Sequence, residues 1–207
     1  MTWRSFVIKD AKKAEKMDRS AIMEALEKGG FRDVNVSNGE REAHGFVVHE
    51  QILNTEFEAA SESTFVGEYV IFTYRRDQLK IPTTYFKALI KAEEDIEKQN
   101  KGVQRLSRAV RDAIREKIEL MLLQRAIPSI TTADVVWSLK DNSFRVFSAS
   151  GAIVEGAAEL FEQTFDLDLL LREPFTRLLD RGVSEDDLET HELPEPIYMP
   201  ALEAAGA

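Results

Sequence analysis

Between Pro82 and Pro128 lie 45 consecutive residues without a proline, and this stretch limits the possible folds more than any other feature. Tyr85, Phe86, Leu89, Ile90 and Ile96 recur at helical spacing in its first half, and Val103, Leu106, Val110, Ile114 and Ile118 do so in its second. An α-helix turns once in ~3.6 residues, so each set forms an apolar stripe. Pro82-Thr83-Thr84 suits a helix start, and Pro128 stands beyond a helix end. Asn100-Lys101-Gly102 interrupts the pattern, which predicts two long helices over 81–128, the second running from about 103 to Ile127, joined as a hairpin that projects from a domain. One unbroken helix over the same residues is the competing reading.

The second segment, VQRLSRAVRDAIREKIE, sets Arg105, Arg108, Arg111 and Arg115 three or four residues apart, so helical winding gathers them on one side. The chain as a whole has a formal net charge of −10. Its regions differ: 1–74 carry −4, 75–125 carry +5, 126–182 carry −4, and 183–207 carry −7 with no base at all. Overall acidity argues against a nucleic-acid partner, yet a basic middle third inside an acidic chain is what a localised phosphate-binding surface requires. The plain alternative is a solvated helix face with i,i+4 ion pairs such as Arg115 with Glu119, each worth only ~0.3–0.5 kcal/mol. Arg75, Arg76 and Lys80, at the exit of a strand beside the hairpin root, are natural additions to a phosphate surface; Lys101 sits at the expected tip.

The flanking regions read as sheet and helix. TWRSFVI at 2–8 suits a strand, and Asp18 suits the cap of a helix that buries Ile22, Met23 and Leu26 and stops at Gly29-Gly30. Strands are expected at Phe31–Val36, Gly45–His49 and 68–75, giving β-α-β-β-β for 1–80. After Pro128, alternating stretches around Lys140-Asp141-Asn142-Ser143 predict a β-hairpin. Ser150 is placed to cap a helix containing Ile153, Ala157, Leu160 and Phe161. Leu167–Leu171 reads as a strand and PFTRLLD as a short helix. The fold class is therefore α+β: antiparallel or mixed sheet with packed helices, its central domain built from 1–80 and 129–182, the hairpin inserted at 81–128, and an acidic tail at 183–207. Within that tail Ile197-Tyr198-Met199 is a candidate partner contact.

Other chemistry is thinly represented. With no cysteine there are no disulfides, thiolate metal sites or cysteine nucleophile. No apolar run approaches the ~20 residues that cross a bilayer, and the opening MTWRSFVIKD lacks a secretory apolar core, so an intracellular protein is expected. Glu93-Glu94-Asp95 and Glu185-Asp186-Asp187 are the material of a Mg²⁺ nuclease, but consecutive acids on a helix point in different directions. His44 and His49 face opposite ways on a regular strand, and His191 lies in the tail. No catalytic residue, metal site or cofactor is expected. Trp3, Trp137 and the phenylalanines read as core.

The order of elements, with several local strings, resembles the RdgC family of recombination-associated DNA-binding proteins. The strings are the Met1-Thr2-Trp3 strand, the early helix ending at Gly29-Gly30-Phe31, and Gly45-Phe46-Val47. They continue with 68–75 running into Leu79-Lys80-Ile81-Pro82, the charged helical pair closing on Leu122-Leu123-Gln124-Arg125-Ala126, and the hairpin with Trp137. The resemblance covers roughly 1–182. It implies an α+β protein that dimerises into a ring around duplex DNA, ignores its sequence and restrains recombinase loading; the family has also carried an exonuclease label. Two departures bear on the ring. Members usually continue well past the point where this chain turns acidic, and many carry an aromatic where this chain has Ile127, a position linked to subunit contact.

The expectation is a non-enzymatic, sequence-independent double-stranded DNA binder, cytoplasmic and nucleoid-associated. It would act as a homodimer that obstructs recombinase or nucleases, with subunit contact through Lys101, Gly102 and Ile127. The DNA contacts expected are Arg75, Arg76, Lys80, Lys101, Arg105, Arg108, Arg111 and Arg115. The alternative is a protein-interaction or DNA-mimic module acting through the hairpin and the acidic tail. A metal-dependent exonuclease comes last.

Overall fold

Alternation of apolar and polar residues builds the sheet. The computed structural model describes residues 2–172. In it the strands are β1 (Arg4–Ile8), β2 (Glu42–Val47), β3 (Phe65–Val66), β4 (Tyr69–Gln78), β5 (Ser129–Ser138), β6 (Ser143–Phe147) and β7 (Leu169–Leu171). They form one antiparallel sheet in the order β2-β4-β5-β6-β1-β7, with β3 beside β4. The helices are α1 (Ala11–Ala14), α2 (Arg19–Lys28), α3 (Ser61–Thr64), α4 (Thr83–Lys101), α5 (Arg108–Arg125) and α6 (Gly151–Phe165). This is the expected α+β class. Residues through Leu170 form one unit and those from Leu171 a second, of which only Leu171 and Arg172 are described. The expected helix PFTRLLD, the acidic tail and its candidate contact lie outside the described residues.

Strand β4 pairs β5 along its whole length, from Tyr69 opposite Ser138 to Gln78 opposite Ser129, so the parts of the chain before and after the helical hairpin share one sheet. Val70, Phe72 and Tyr74 on β4 and Val135 and Trp137 on β5 point to one buried face, as period-2 geometry requires. Helix α6 covers that face with Phe161 and Phe165, whose rings lie 5.2 and 5.1 Å from Trp137. Gly156 permits this close packing, since a Cβ there would come within 2.5 Å of the Tyr74 hydroxyl. Helix α2 begins as expected, with the Asp18 carboxylate accepting from the Ala21 amide at 2.8 Å. Ile22, Met23 and Leu26 are buried on its inner face.

Two expectations fail for local reasons. Phe31–Val36 is not a strand: only a parallel bridge joins Gly30 to Phe46, after which Asn35 caps a 3-10 turn over Val36–Asn38 and its side chain accepts from the Asn38 amide at 3.3 Å. A short polar residue that satisfies its own backbone competes with the sheet ladder. Trp3 is not core. It is 45% exposed and lies before β1 with the Arg145 guanidinium 5.9 Å from its ring. No helix among the described residues is long and apolar enough to cross a membrane.

Candidate nucleic-acid interface

The proline-free stretch folds as two helices, α4 and α5, and not as one. Gly102 ends α4 at φ +62°, a left-handed conformation suited to glycine, with its amide donating to the Gln99 carbonyl at 3.2 Å and the Val103 amide to Lys98 at 3.1 Å. The second helix starts later than the apolar period suggests. Ser107 is its N-cap and accepts from the Val110 amide at 3.4 Å. Leu106 is buried from the loop, where it joins Ile114 and Ile118 in the hairpin's own small core with Phe86, Leu89 and Ile90 packed around them. Arg105 therefore lies in the connection, and the four-residue ladder is three residues long: Arg108, Arg111 and Arg115.

Which side of the hairpin these arginines occupy follows from winding at about 100° per residue. The helices are antiparallel, and the Lys117–Glu93 pair, at 2.8 Å, marks one flank of their seam. On α5, Arg108, Arg111 and Arg115 fall on the opposite flank. On α4 the residues of that same opposite flank are Lys87, Lys91, Lys98 and Lys101, with Glu94 among them. One broad face of the hairpin is thus basic and fed by both helices. The other carries exposed Tyr85 and Ile96 from α4 and exposed Leu120 from α5, while Leu89, Val110 and Met121 pack into the hairpin's own core. The sequence reading named only Lys101 among the α4 cations. The signal for the rest was the spacing of Lys87 and Lys91, which can be placed only once the helices are known to be antiparallel neighbours.

The face is not wholly free. Arg108 lies 3.6 Å from Asp112, Lys101 pairs with Glu97 at 2.8 Å, and Lys98 pairs with Asp95 at 2.9 Å, lowering the Asp95 pKa through that hydrogen bond. Arg115 lies over the Phe86 ring, 5.7 Å from its centroid. Among the described residues Lys87, Lys91, Arg105 and Arg111 form no ion pair.

The strand cations behave differently. Arg75 is buried on the sheet face away from α6; its Nε and Nη2 donate to the two Asp77 carboxylate oxygens at 2.8 and 2.6 Å, its Nη1 donates to the Ile52 carbonyl at 2.8 Å, and its guanidinium lies 4.0 Å from the Phe31 ring. This corrects the expectation that Arg75 meets phosphate, because its side chain is buried and all three of its nitrogens donate inside the fold. Arg76 points to the other side, where Nη2 donates to Glu42 at 2.7 Å. Lys80 is exposed beyond β4. Lys101 and Gly102 stand at the tip, whereas Ile127, 89% exposed, stands at the root. An 18-residue α5 is about 27 Å long, so the three expected dimer contacts do not form one patch.

Candidate catalytic groups are similarly dispersed. His44 is exposed on β2 with its ring 6.2 Å from Tyr74. The His49 Nδ1 lies 3.4 Å from Asp134, whose carboxylate also accepts from the Thr73 hydroxyl at 2.9 Å. Glu93 and Asp95 are engaged by Lys117 and Lys98. Among the described residues no three His, Asp or Glu gather as metal ligands would. No protein-family model matches this chain, and no curated protein matches it.

Proposed function

We propose that this protein binds duplex DNA without reading its sequence, through the basic face of the α4–α5 hairpin, and that it does so as a homodimer without enzymatic activity. One observation carries the reading: Lys87, Lys91, Arg111 and Arg115 share a flank of a helical pair in a chain of net charge −10, and none of them makes a salt bridge among the described residues, Lys91 acting on Asp95 only at longer range. Cations of this kind neutralise phosphates and release counterions without contacting base edges. Arg105 in the adjoining loop and Lys80 near the root extend the same surface. The resemblance to RdgC proteins points the same way, toward a protein that occupies DNA and limits access by recombinase filaments or nucleases in the nucleoid.

The test is the salt dependence of duplex affinity. With five unpaired cations per copy (87, 91, 105, 111 and 115), log affinity should fall against log salt with a slope of about −4.5 per copy bound, from ~0.9 per phosphate neutralised. Replacing Arg105, Arg111 and Arg115 with alanine should flatten that slope by about 2.7 per copy and weaken every duplex sequence alike. A folded triple variant with unchanged affinity sinks the proposal. Incubating linear duplex with Mg²⁺ or Mn²⁺ tests the absence of nuclease activity, and shortened products would overturn it.

A further inference from the structure

Arg145 on β6 is a cation that nothing in the fold answers. Its side chain is half-buried on the sheet face away from α6, its Nε is shut off from solvent, and the guanidinium meets neither a hydrogen-bond acceptor nor a carboxylate among the described residues. A charge held away from water costs free energy until a partner reaches it, even in a chain of net charge −10. Asp134, on the neighbouring strand of the same face, is engaged elsewhere: it accepts from the Thr73 hydroxyl at 2.9 Å and lies 3.4 Å from the His49 Nδ1.

The surroundings of Arg145 indicate which anion fits. Ser143 precedes it by two residues and so shares its face; this serine is 1% exposed and its hydroxyl also has no hydrogen-bond partner. Ser5 stands opposite Arg145 on β1 and is 6% exposed. Beside these polar groups lies an aromatic surface. The Trp3 ring is 5.9 Å from the guanidinium and Trp3 is 45% exposed, with half-buried Phe147 one step beyond the Arg4–Val146 pair. A bare anion would leave the indole without a contact, and an apolar partner would leave the guanidinium unanswered. A flat ring that carries a phosphate satisfies both.

We infer that the end of the sheet at Trp3 and Arg145 binds a nucleotide whose base is unpaired, the base stacking on the exposed indole and the phosphate accepting from Arg145 and the Ser143 hydroxyl. No hydrogen bond or ion pair holds the Arg145 side chain, so a change of rotamer is enough to bring its Nε to a phosphate oxygen. Bases inside a duplex are stacked on one another and offer no face to a side chain. The site is therefore separate from the cations of α4 and α5 and does not rest on the duplex reading. Free nucleotides and unpaired strands share the chemistry it recognises.

The two tryptophans report on the site directly, because Trp3 is open to a quencher and Trp137, 0% exposed, is not. The full-length protein is titrated with AMP and, separately, with oligothymidylate, exciting at the red edge of indole absorption where the bases are transparent. Trp3 emission should be quenched to saturation. Equilibrium dialysis with the labelled probe that binds should show affinity weakened roughly tenfold or more in Trp3→Ala and roughly ten- to a hundredfold in Arg145→Gln, with Arg145→Lys recovering part of the loss. If circular dichroism shows that Arg145→Gln has lost sheet, Trp3→Ala, at an exposed position, decides alone. Quenching by AMP only assigns the site to a free nucleotide, and quenching by the oligonucleotide only assigns it to an unpaired strand; either result supports the site. Quenching by neither probe, unchanged affinity in the folded variants, or displacement by inorganic phosphate or benzoate as readily as by unlabelled probe overturns it. Arg111→Ala should leave this binding unchanged. A chain that binds AMP but no duplex keeps this site and loses the duplex reading.

Discussion

Asp77→Asn is the substitution whose effect can be worked most directly from the structure. Asp77 is 2% exposed and takes two hydrogen bonds from Arg75, which is itself 6% exposed. Asparagine keeps the shape but removes the counter-charge, and its NH₂ must face a guanidinium that has no acceptor capacity. Breaking one side of a buried pair costs ~3–5 kcal/mol, because a charge is left uncompensated away from water. The Ile52 carbonyl and the Phe31 ring remain, and they place the loss at the lower end, about 3 kcal/mol. For a chain of this size each kcal/mol lowers Tm by ~2–4 °C, so a fall of about 6–12 °C is expected in calorimetry. Replacing both residues, as Arg75→Met with Asp77→Leu, removes the charge with its partner and should recover most of that loss. Duplex affinity of the folded double variant should equal that of the wild type. A Tm for Asp77→Asn within 2 °C of wild type, or a double variant that loses as much DNA affinity as Arg111→Ala, would refute the assignment of Arg75 to the interior.

Glu42 supplies a pH test: hydrogen bonds from Arg76 and Gln78 hold its carboxyl below the ordinary value of 4.5, so its contribution is complete above that value and is lost as pH falls through the lowered one. Urea midpoints measured across the acid range should therefore decline less steeply for Glu42→Gln than for wild type, and parallel declines would remove the pair from the account. Gly45→Ala should cost ~3 kcal/mol or abolish soluble expression, because a Cβ there would collide with the backbone of Phe31 and no rotamer relieves that contact. A Tm close to wild type would show that the segment at Phe31 can move away.

The sheet was legible because its signal is local. In β4 and β5, period 2 and turn residues lie side by side in the sequence, and Lys140-Asp141-Asn142-Ser143 marked the join between β5 and β6. The limits of α4 were nearly as plain, from Pro82 and Gly102. What could not be read was competition between equal local signals. Leu106 fits the helical period of α5 yet lies in the loop before it, because Ser107 offers a better cap than any residue at 103. Arg75 and Arg76 look alike in sequence. Adjacent strand residues point to opposite faces, and pairing alone decided that Arg75 would meet buried Asp77 and Arg76 the surface carboxylate of Glu42. The basic face itself was half visible. Its arginines follow one another on one helix, but its lysines belong to the other helix and join them only through the handedness of an antiparallel pair.

A chain of net charge −10 can still hold a polyanion if the favourable charge is kept in place and the rest kept remote. Both conditions follow from how the hairpin is mounted. Its two ends continue from β4 and into β5, which are paired along their full length, and a surface ion pair between Arg41 and Glu119 ties α5 to the segment before β2. The basic flank therefore has a fixed orientation, and binding need not pay to order it. Distance does the remainder. At physiological ionic strength the Debye length is about 8 Å, whereas the hairpin extends about 27 Å from root to tip. A phosphate near the tip would thus meet mainly the charges of α4, α5 and their connection, while carboxylates on the sheet are largely screened. The same screening makes the charge of one 51-residue window, 75–125, more relevant to the proposed partner than the overall charge of the sequence.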